Sequence, residues 1–314
     1  MEGTTDPLRR KGDTDLERVA EERSVAGNRE EIDRRLSRVK VVYTDVDGTL
    51  MGPGGCFFLN AERRYTLGPA LALVRALEAG LDIFLVSGRS GTGLLETARV
   101  LGLRNYIAEL GAETFYDLGQ EVVRDYGVFQ GRTEDLLGYI RSLGVLEFLF
   151  DRYQGRVEPH EPWSRQRECV PLLRGLLDLE EVNREFEERF PGLVLVDNGI
   201  IPRTYPGLQV EEVRAYHVVP RGVSKENAVA ADMRRRGLRR EEAVAVGDAQ
   251  ADLHFAREVG VFFLVRNGLY ASPQTAELIE GYDNAFVTRG MLNEGWAEAV
   301  EACLAHNRKE DGSG

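Results

Sequence analysis

The sequence predicts an α/β protein: a doubly wound parallel sheet into which a smaller α+β segment is inserted. Three observations carry this. Strand-length apolar runs alternate with helix-length amphipathic runs near both ends of the chain. The middle, residues 128–214, breaks that rhythm. The strands on either side of the break stop on acids or a serine.

In order, "VKVVYTD" is a strand that ends on Asp45. "GPALALVRALEAG" is a helix with Ala70, Leu73, Val74 and Leu77 on its apolar stripe and Gly80 as its stop. "LDIFLVSG" is a second strand, "TGLLETARVLG" a second helix and "NYIAEL" a third strand. In the insert, "TEDLLGYIRSLG" and "LEEVNREFEERFPG" are helices, "LEFLFDRYQGRVE" is a strand or hairpin, and "LVLVDNGIIPRTY" is a strand with Asp197 and Asn198 at a turn. "VRAYHVVP" leads back to the first rhythm: "KENAVAADMRRRG" (helix), "AVAVGD" (strand), "ADLHFAREVG" (helix), "VFFLV" (strand), then "AFVTRG" and the helix "NEGWAEAVEACLA". The expected domains are a flexible charged arm over 1–37, a core over 38–127 and 215–306, and an inserted α+β cap over 128–214.

The stretch "VVYTDVDGTLMG" places Asp45 and Asp47 at the carboxyl end of a buried strand. Two carboxylates held close together away from water are costly, so the pair either caps a turn or faces something positive. In an open parallel sheet, ligands bind beyond the carboxyl ends of the strands. The second strand ends at Ser87 and Gly88, and a later one at Asp248, with Asp252 four residues on. Carboxylate oxygens from separate strand ends suit Mg²⁺ rather than a continuous calcium loop. Lys225 follows Ser224, a natural helix cap, and so lies in a first helical turn, where a cation opposes the helix dipole. That position makes sense beside an anion, most naturally a phosphate. The Ser87 hydroxyl and the Gly88 N–H are donors of the same kind, and a simple helix cap is compatible with that role.

Taken together, "DVDGT", "VSGR", Lys225 in "VVPRGVSKENAV" and "VGDAQAD" resemble the four motifs of the haloacid dehalogenase superfamily, whose core is Rossmann-like. Their order resembles the Cof-type, subclass IIB sugar-phosphatase-like branch, with its cap between the second and third motifs. The resemblance spans the core halves and follows the cap only in outline. It implies a Mg²⁺-dependent phosphatase acting on a small phosphorylated metabolite, a sugar phosphate or a phosphoglycolate-like acid. Asp45 would be the nucleophile and Asp47 the acid/base. Ser87, Gly88 and Lys225 would hold the phosphoryl group. The metal would lie on Asp45, the Asp47 backbone carbonyl and Asp248, with Asp252 organising the loop behind them. Two positions depart from the pattern: Ala251 stands where an Asn is common, and Leu110 replaces the Asn of an Asn-Gly pair. Asn267 offers a compensating amide, and a turn role explains it as well.

The insert is rich in arginine, and Arg152, His160, Arg165, Arg167 and Arg174 are its candidate substrate contacts; ion pairs with nearby acids are the alternative. Tyr153 and Trp163 are read as core packing, with stacking on a sugar or base as the alternative. A net charge of −12 argues against nucleic acid as partner. The three scattered cysteines form no metal or disulfide framework, no apolar run spans a membrane, and the charged start is no signal peptide, so a cytoplasmic protein is expected. Homo-oligomerisation stays open. A phosphomutase on the same core is the second reading, and a non-catalytic binding protein the third.

Overall fold

In the computed structural model, residues 11–271 and 273–312 are described. Among them, twelve strands follow in order: β1 (Val41–Asp45), β2 (Asp82–Val86), β3 (Tyr106–Ala108), β4 (Glu113–Tyr116), β5 (Glu121–Arg124), β6 (Val157–Pro159), β7 (Leu172–Gly175), β8 (Leu193–Ile200), β9 (Arg214–Pro220), β10 (Ala243–Gly247), β11 (Val261–Leu264) and β12 (Ala285–Val287). The chain divides into two compact units, 1–85 with 229–314, and 86–228.

In the first unit the strand order is β12-β11-β10-β1-β2. β1 pairs with β10, β10 with β11 and β11 with β12, all parallel, with Val41 opposite Ala243 and Val244 opposite Val261. Every residue of β1, β10 and β11 is buried, as unbroken apolar strands covered on both faces must be. The helix Gly68–Glu78 buries Pro69, Ala72, Leu73 and Ala76, whereas Val74 and Leu77 are exposed. The apolar stripe is thus rotated from the expected one. Small alanines let this helix lie close to the helix Leu292–Gly312, and close packing outweighs side-chain size. The segment read as the helix "ADLHFAREVG" is a 3-10 helix over Gln250–Arg257.

The charged arm is not loose where it is described. Helices span Lys11–Glu22 and Arg29–Arg35. Between them, Val25 N donates to Val287 O at 3.1 Å and Val287 N to Arg23 O at 2.8 Å, so the arm covers the open edge of β12. Ile32 is fully buried, and Arg23 donates to Tyr282 O at 2.7 Å. The few apolar residues among the charges suffice because each lands in the core. Residues 1–10 of the expected arm lie outside the described residues.

In the second unit β3, β4 and β5 form an antiparallel meander, and β6-β7-β9-β8 form a four-stranded antiparallel sheet. One hydrophobic cluster joins Leu110, Ala112, Tyr126, Tyr216 and Val223 to the insert residues Phe129, Leu149, Val182 and Phe186. Residues on both sides of the expected 128–214 boundary therefore share one core. β4 and β5 are absent from the sequence reading, being short and weakly apolar. "LEFLFDRYQGRVE" is helical over Val145–Arg152 before β6 begins; its buried residues, Val145 and Leu149, are spaced by four, not two. Asp197 and Asn198 lie within β8, where the register slips against β9 between Asp197 and Ile200. Tyr153 is buried as expected, but Trp163 is 64% exposed.

Glu113 on β4 is fully buried, with Arg124 at 3.1 Å and a second carboxylate oxygen without a partner. Burial, then the nearby charge of Glu109, pushes its carboxyl up from 4.5 to about 7. A carboxyl raised in the folded state costs no stability below its unfolded pKa, and the cost is complete above the folded one. Stability from this group therefore falls as pH rises from 4.5 to about 7. Glu113→Gln is expected to melt above the parent at about pH 8, by roughly 3 kcal/mol in stability, and to match it at about pH 4. Thermal melts at the two pH values check this; a variant that melts below the parent at both would refute it.

Candidate active site

At the end of β1 the chain turns sharply: Met51 N donates to Val46 O at 2.8 Å and Gly48 N to Met51 O at 3.2 Å. Gly48 has φ +92°, and a Cβ there would lie 2.3 Å from Asp248 Oδ2, so the turn and the acid after β10 require glycine between them. Asp45 is 5% exposed and Asp252 is fully buried, whereas Asp47 is exposed. Asp45, Asp248 and Asp252 converge, each offering a carboxylate oxygen, with these oxygens within 4.8 Å of one another. Thr49 Oγ1 donates to Asp248 Oδ1 at 3.0 Å, and Asn267 Nδ2 donates to Asp248 Oδ2 at 3.3 Å and to Gly48 O at 2.9 Å. Asn267 Oδ1 is itself held by Leu292 N at 2.7 Å. Asp252 Oδ2 accepts from the N–H groups of Asp248 and Ala249, which ties the loop after β10. Three clustered carboxylates with oriented oxygens fit a hard divalent cation such as Mg²⁺, whose charge would offset their mutual repulsion. Asp47 does not contribute its carboxylate to the cluster, which is compatible with the backbone-carbonyl role that the family resemblance implies.

The phosphate-binding candidates lie in the other unit. Ser87, just after β2, is 2% exposed; its N–H donates to Ile107 O and its carbonyl accepts from Leu110 N. Its hydroxyl accepts from Arg89 N at 3.1 Å. Lys225 opens the helix Lys225–Arg236, and Ser224 Oγ caps that helix by accepting from Asn227 N at 3.1 Å.

Gly88 is approached by the insert. Its carbonyl accepts from Arg167 at 2.7 Å, and a Cβ on it would meet Asn198 Nδ2 at 2.9 Å and His217 Nε2 at 3.2 Å. Arg167 is buried; it also donates to Val170 O at 3.1 Å and lies 3.1 Å from His217 Nδ1. Glu109, fully buried, faces Arg167 at 3.5 Å and accepts the N–H groups of Glu168, Cys169 and Val170 at 2.8, 3.0 and 2.8 Å.

Among the described residues, Arg167 is the cap arginine that contacts Gly88. Arg152 pairs with Glu181 and Glu185, and Arg165 with Glu161. Arg174 pairs with Glu158 and lies over the Tyr205 ring at 3.6 Å. His160 packs edge-on to the same tyrosine; burial, then Arg174 and Arg167, pushes its ring down to about 4. The sequence reading passed over His217 and Glu109. Each left a trace: His217 is the one imidazole in the apolar run "YHVVP", and Glu109 interrupts "YIAEL".

No protein-family model matches the chain. It is 28% identical over 268 residues to the phosphoglycolate phosphatase of Pyrobaculum aerophilum, covering 85% of this chain and 96% of that protein. Its fold superposes on a phosphatase of the haloalkanoate (HAD) enzyme superfamily from Bacteroides thetaiotaomicron with a TM-score of 0.57 at 18% identity, over 86% of this chain and 96% of the other. A HAD subclass IIB sugar phosphatase superposes with a TM-score of 0.52 at 19% identity, over 84% and 98% of the two chains. A parallel sheet with acids at its strand ends, carrying the four motifs in order, is the arrangement to which the motif resemblance points. The chain is thus similar in sequence to a phosphoglycolate phosphatase and shares its fold with phosphatases of the HAD superfamily, sugar phosphatases of subclass IIB among them.

Proposed function

We propose that the protein is a Mg²⁺-dependent phosphatase for a small phosphorylated metabolite, working through an aspartyl phosphate on Asp45. The observation that carries this reading is the convergence of Asp45, Asp248 and Asp252, with the exposed Asp47 two residues beyond Asp45. The relatives named phosphoglycolate phosphatase support a phosphorylated acid among the candidate substrates.

An Asp45 oxygen attacks phosphorus, the ester P–O bond breaks, and the leaving oxygen takes a proton from Asp47. Asp47, now ionised, takes a proton from the water that attacks the phosphoaspartate, and phosphate leaves with Asp45 restored. Ser87, Gly88 and Lys225 bind the phosphoryl oxygens. Asp45, the Asp47 carbonyl and Asp248 would hold Mg²⁺, which when bound neutralises charge on the phosphoryl oxygens. Residues 128–214 act as the cap that supplies leaving-group contacts.

The test is phosphate release from a panel of phosphorylated sugars, glycerates and glycolate, with Mg²⁺ or with chelator. Chelator-sensitive release without added bisphosphate is expected. Release that needs a bisphosphate activator would favour a phosphomutase, and none under either condition would overturn the reading for these compounds.

A further inference from the structure

The segment that follows β11 lies directly on the acid cluster. Arg266 N donates to Gly290 O at 3.2 Å, and the short helix Asn267–Ala271 begins at the next residue. Asn267 Nδ2 reaches Asp248 Oδ2 at 3.3 Å and Gly48 O at 2.9 Å. At Gly268 a Cβ would lie 2.4 Å from the Asp248 carbonyl oxygen, so backbone rests on backbone there. The amide bond to the Asp248 side chain is long for a hydrogen bond, and a few tenths of an ångström decide whether such a bond is made. Where residues 266–268 stand therefore decides how firmly the Asp248 carboxylate is aimed.

The charged arm fixes that place. Glu17, on the helix Lys11–Glu22, accepts from the Arg266 guanidinium through Oε2 and from the Tyr270 hydroxyl through Oε1. One carboxylate thus clasps the residue before Asn267 and the residue three after it. Glu17 is exposed, and a pair in water adds little to global stability, so the fold does not depend on the clasp. The rest of the arm is held elsewhere. Arg23 donates to Tyr282 O, the main chain at Arg23 and Val25 bonds β12, and Arg18 pairs with Glu22 and with Glu280. None of these bonds ends on residues 266–270.

We propose that Glu17 is a positioning residue for the metal site: by holding Arg266 and Tyr270 it places Asn267, and through Asn267 it aims the Asp248 carboxylate. The inference rests on the reading of Asp45, Asp248 and Asp252 as the Mg²⁺ site. It deepens that reading, because a helix of the arm, outside the sheet, then governs how tightly the cation is held. Partners that orient a metal ligand from behind tune the affinity of the site without touching the ion.

The test is calorimetric titration of the full chain with Mg²⁺, with the melting temperature in chelator as the check on folding. Glu17→Gln is expected to raise the Mg²⁺ Kd by about three- to tenfold and to melt close to the parent. Tyr270→Phe keeps every charge and removes one of the two bonds, so it should raise Kd by a smaller factor, about twofold. Arg18→Gln, which loosens the arm away from residues 266–270, should leave Kd unchanged. An unchanged Kd in Glu17→Gln, or an equal rise in Arg18→Gln, overturns the proposal. A rise in Glu17→Gln with none in Tyr270→Phe makes the effect one of charge alone and overturns it too. A parent that binds no Mg²⁺ refutes the metal reading, and the metal-free protein then decides the positioning. The side-chain amide ¹⁵N signal of Asn267, identified by its loss in Asn267→Ser, must shift in Glu17→Gln and in Tyr270→Phe and stay in Arg18→Gln; any other pattern overturns the assignment.

Discussion

Asp45→Asn is expected to lower phosphate release by roughly 10⁴-fold or more while leaving the protein folded. The amide oxygen is a poor nucleophile, and losing the attacking group removes the covalent route rather than trimming its rate. The structure adds an expectation that separates loss of chemistry from loss of fold. Asp45 is 5% exposed and its carboxylate lies within 4.8 Å of those of Asp248 and Asp252. Without a cation these like charges repel, so the amide should melt at the parent temperature or above it in chelator. Mg²⁺ should raise the parent's melting temperature, because it binds the folded state, and should raise the variant's less. Two melts and one activity assay decide the point. A variant that melts well below the parent in chelator would mean that Asp45 holds the fold, and the activity loss would then say nothing about its chemistry.

Glu109→Gln is expected to destabilise the protein by about 3–5 kcal/mol, read from the denaturant midpoint. The substitution keeps shape and removes charge. In the parent, one carboxylate oxygen accepts from Glu168 N and the other from Cys169 N and Val170 N, and the Arg167 guanidinium lies 3.5 Å away. An amide turns one acceptor into a donor that faces N–H groups, and it leaves a buried cation without its counter-charge. The loop 167–170 should loosen, and with it the grip of Arg167 on Gly88 and His217. A loss below about 1 kcal/mol would mean that water reaches the cluster and that the pair is effectively a surface one.

Much of the core was legible because its signals are local. β1, β10 and β11 appear as largely apolar runs, and Asp45 at the end of β1, Asp47 two residues on and Asp248 just after β10 need only strand direction to be placed at one rim. Asn267, weighed between turn and amide ligand, proves to hold the Asp248 carboxylate and the Gly48 carbonyl. Elsewhere local signals misled. The stripe on the Gly68–Glu78 helix was read by side-chain size, whereas the buried face is chosen by how closely a neighbour can approach. "LEFLFDRYQGRVE" was read as a strand or hairpin because large apolar residues crowd its start, whereas Val145–Arg152 is helical.

The sequence by itself determined the parallel strands of the first unit and the acids at their ends, since each depends on residues within a few positions of one another. Tertiary structure alone decided that the charged arm completes the edge of β12, that Glu109 receives three N–H groups some sixty residues later, and that Arg167 and His217 meet at Gly88. Arg167 and Gly88 stand 79 positions apart, and Arg167 and His217 stand 50 apart. The physical reason is the same in each case. A buried polar group is tolerated only where a distant partner satisfies it, and no local window of the sequence contains that partner.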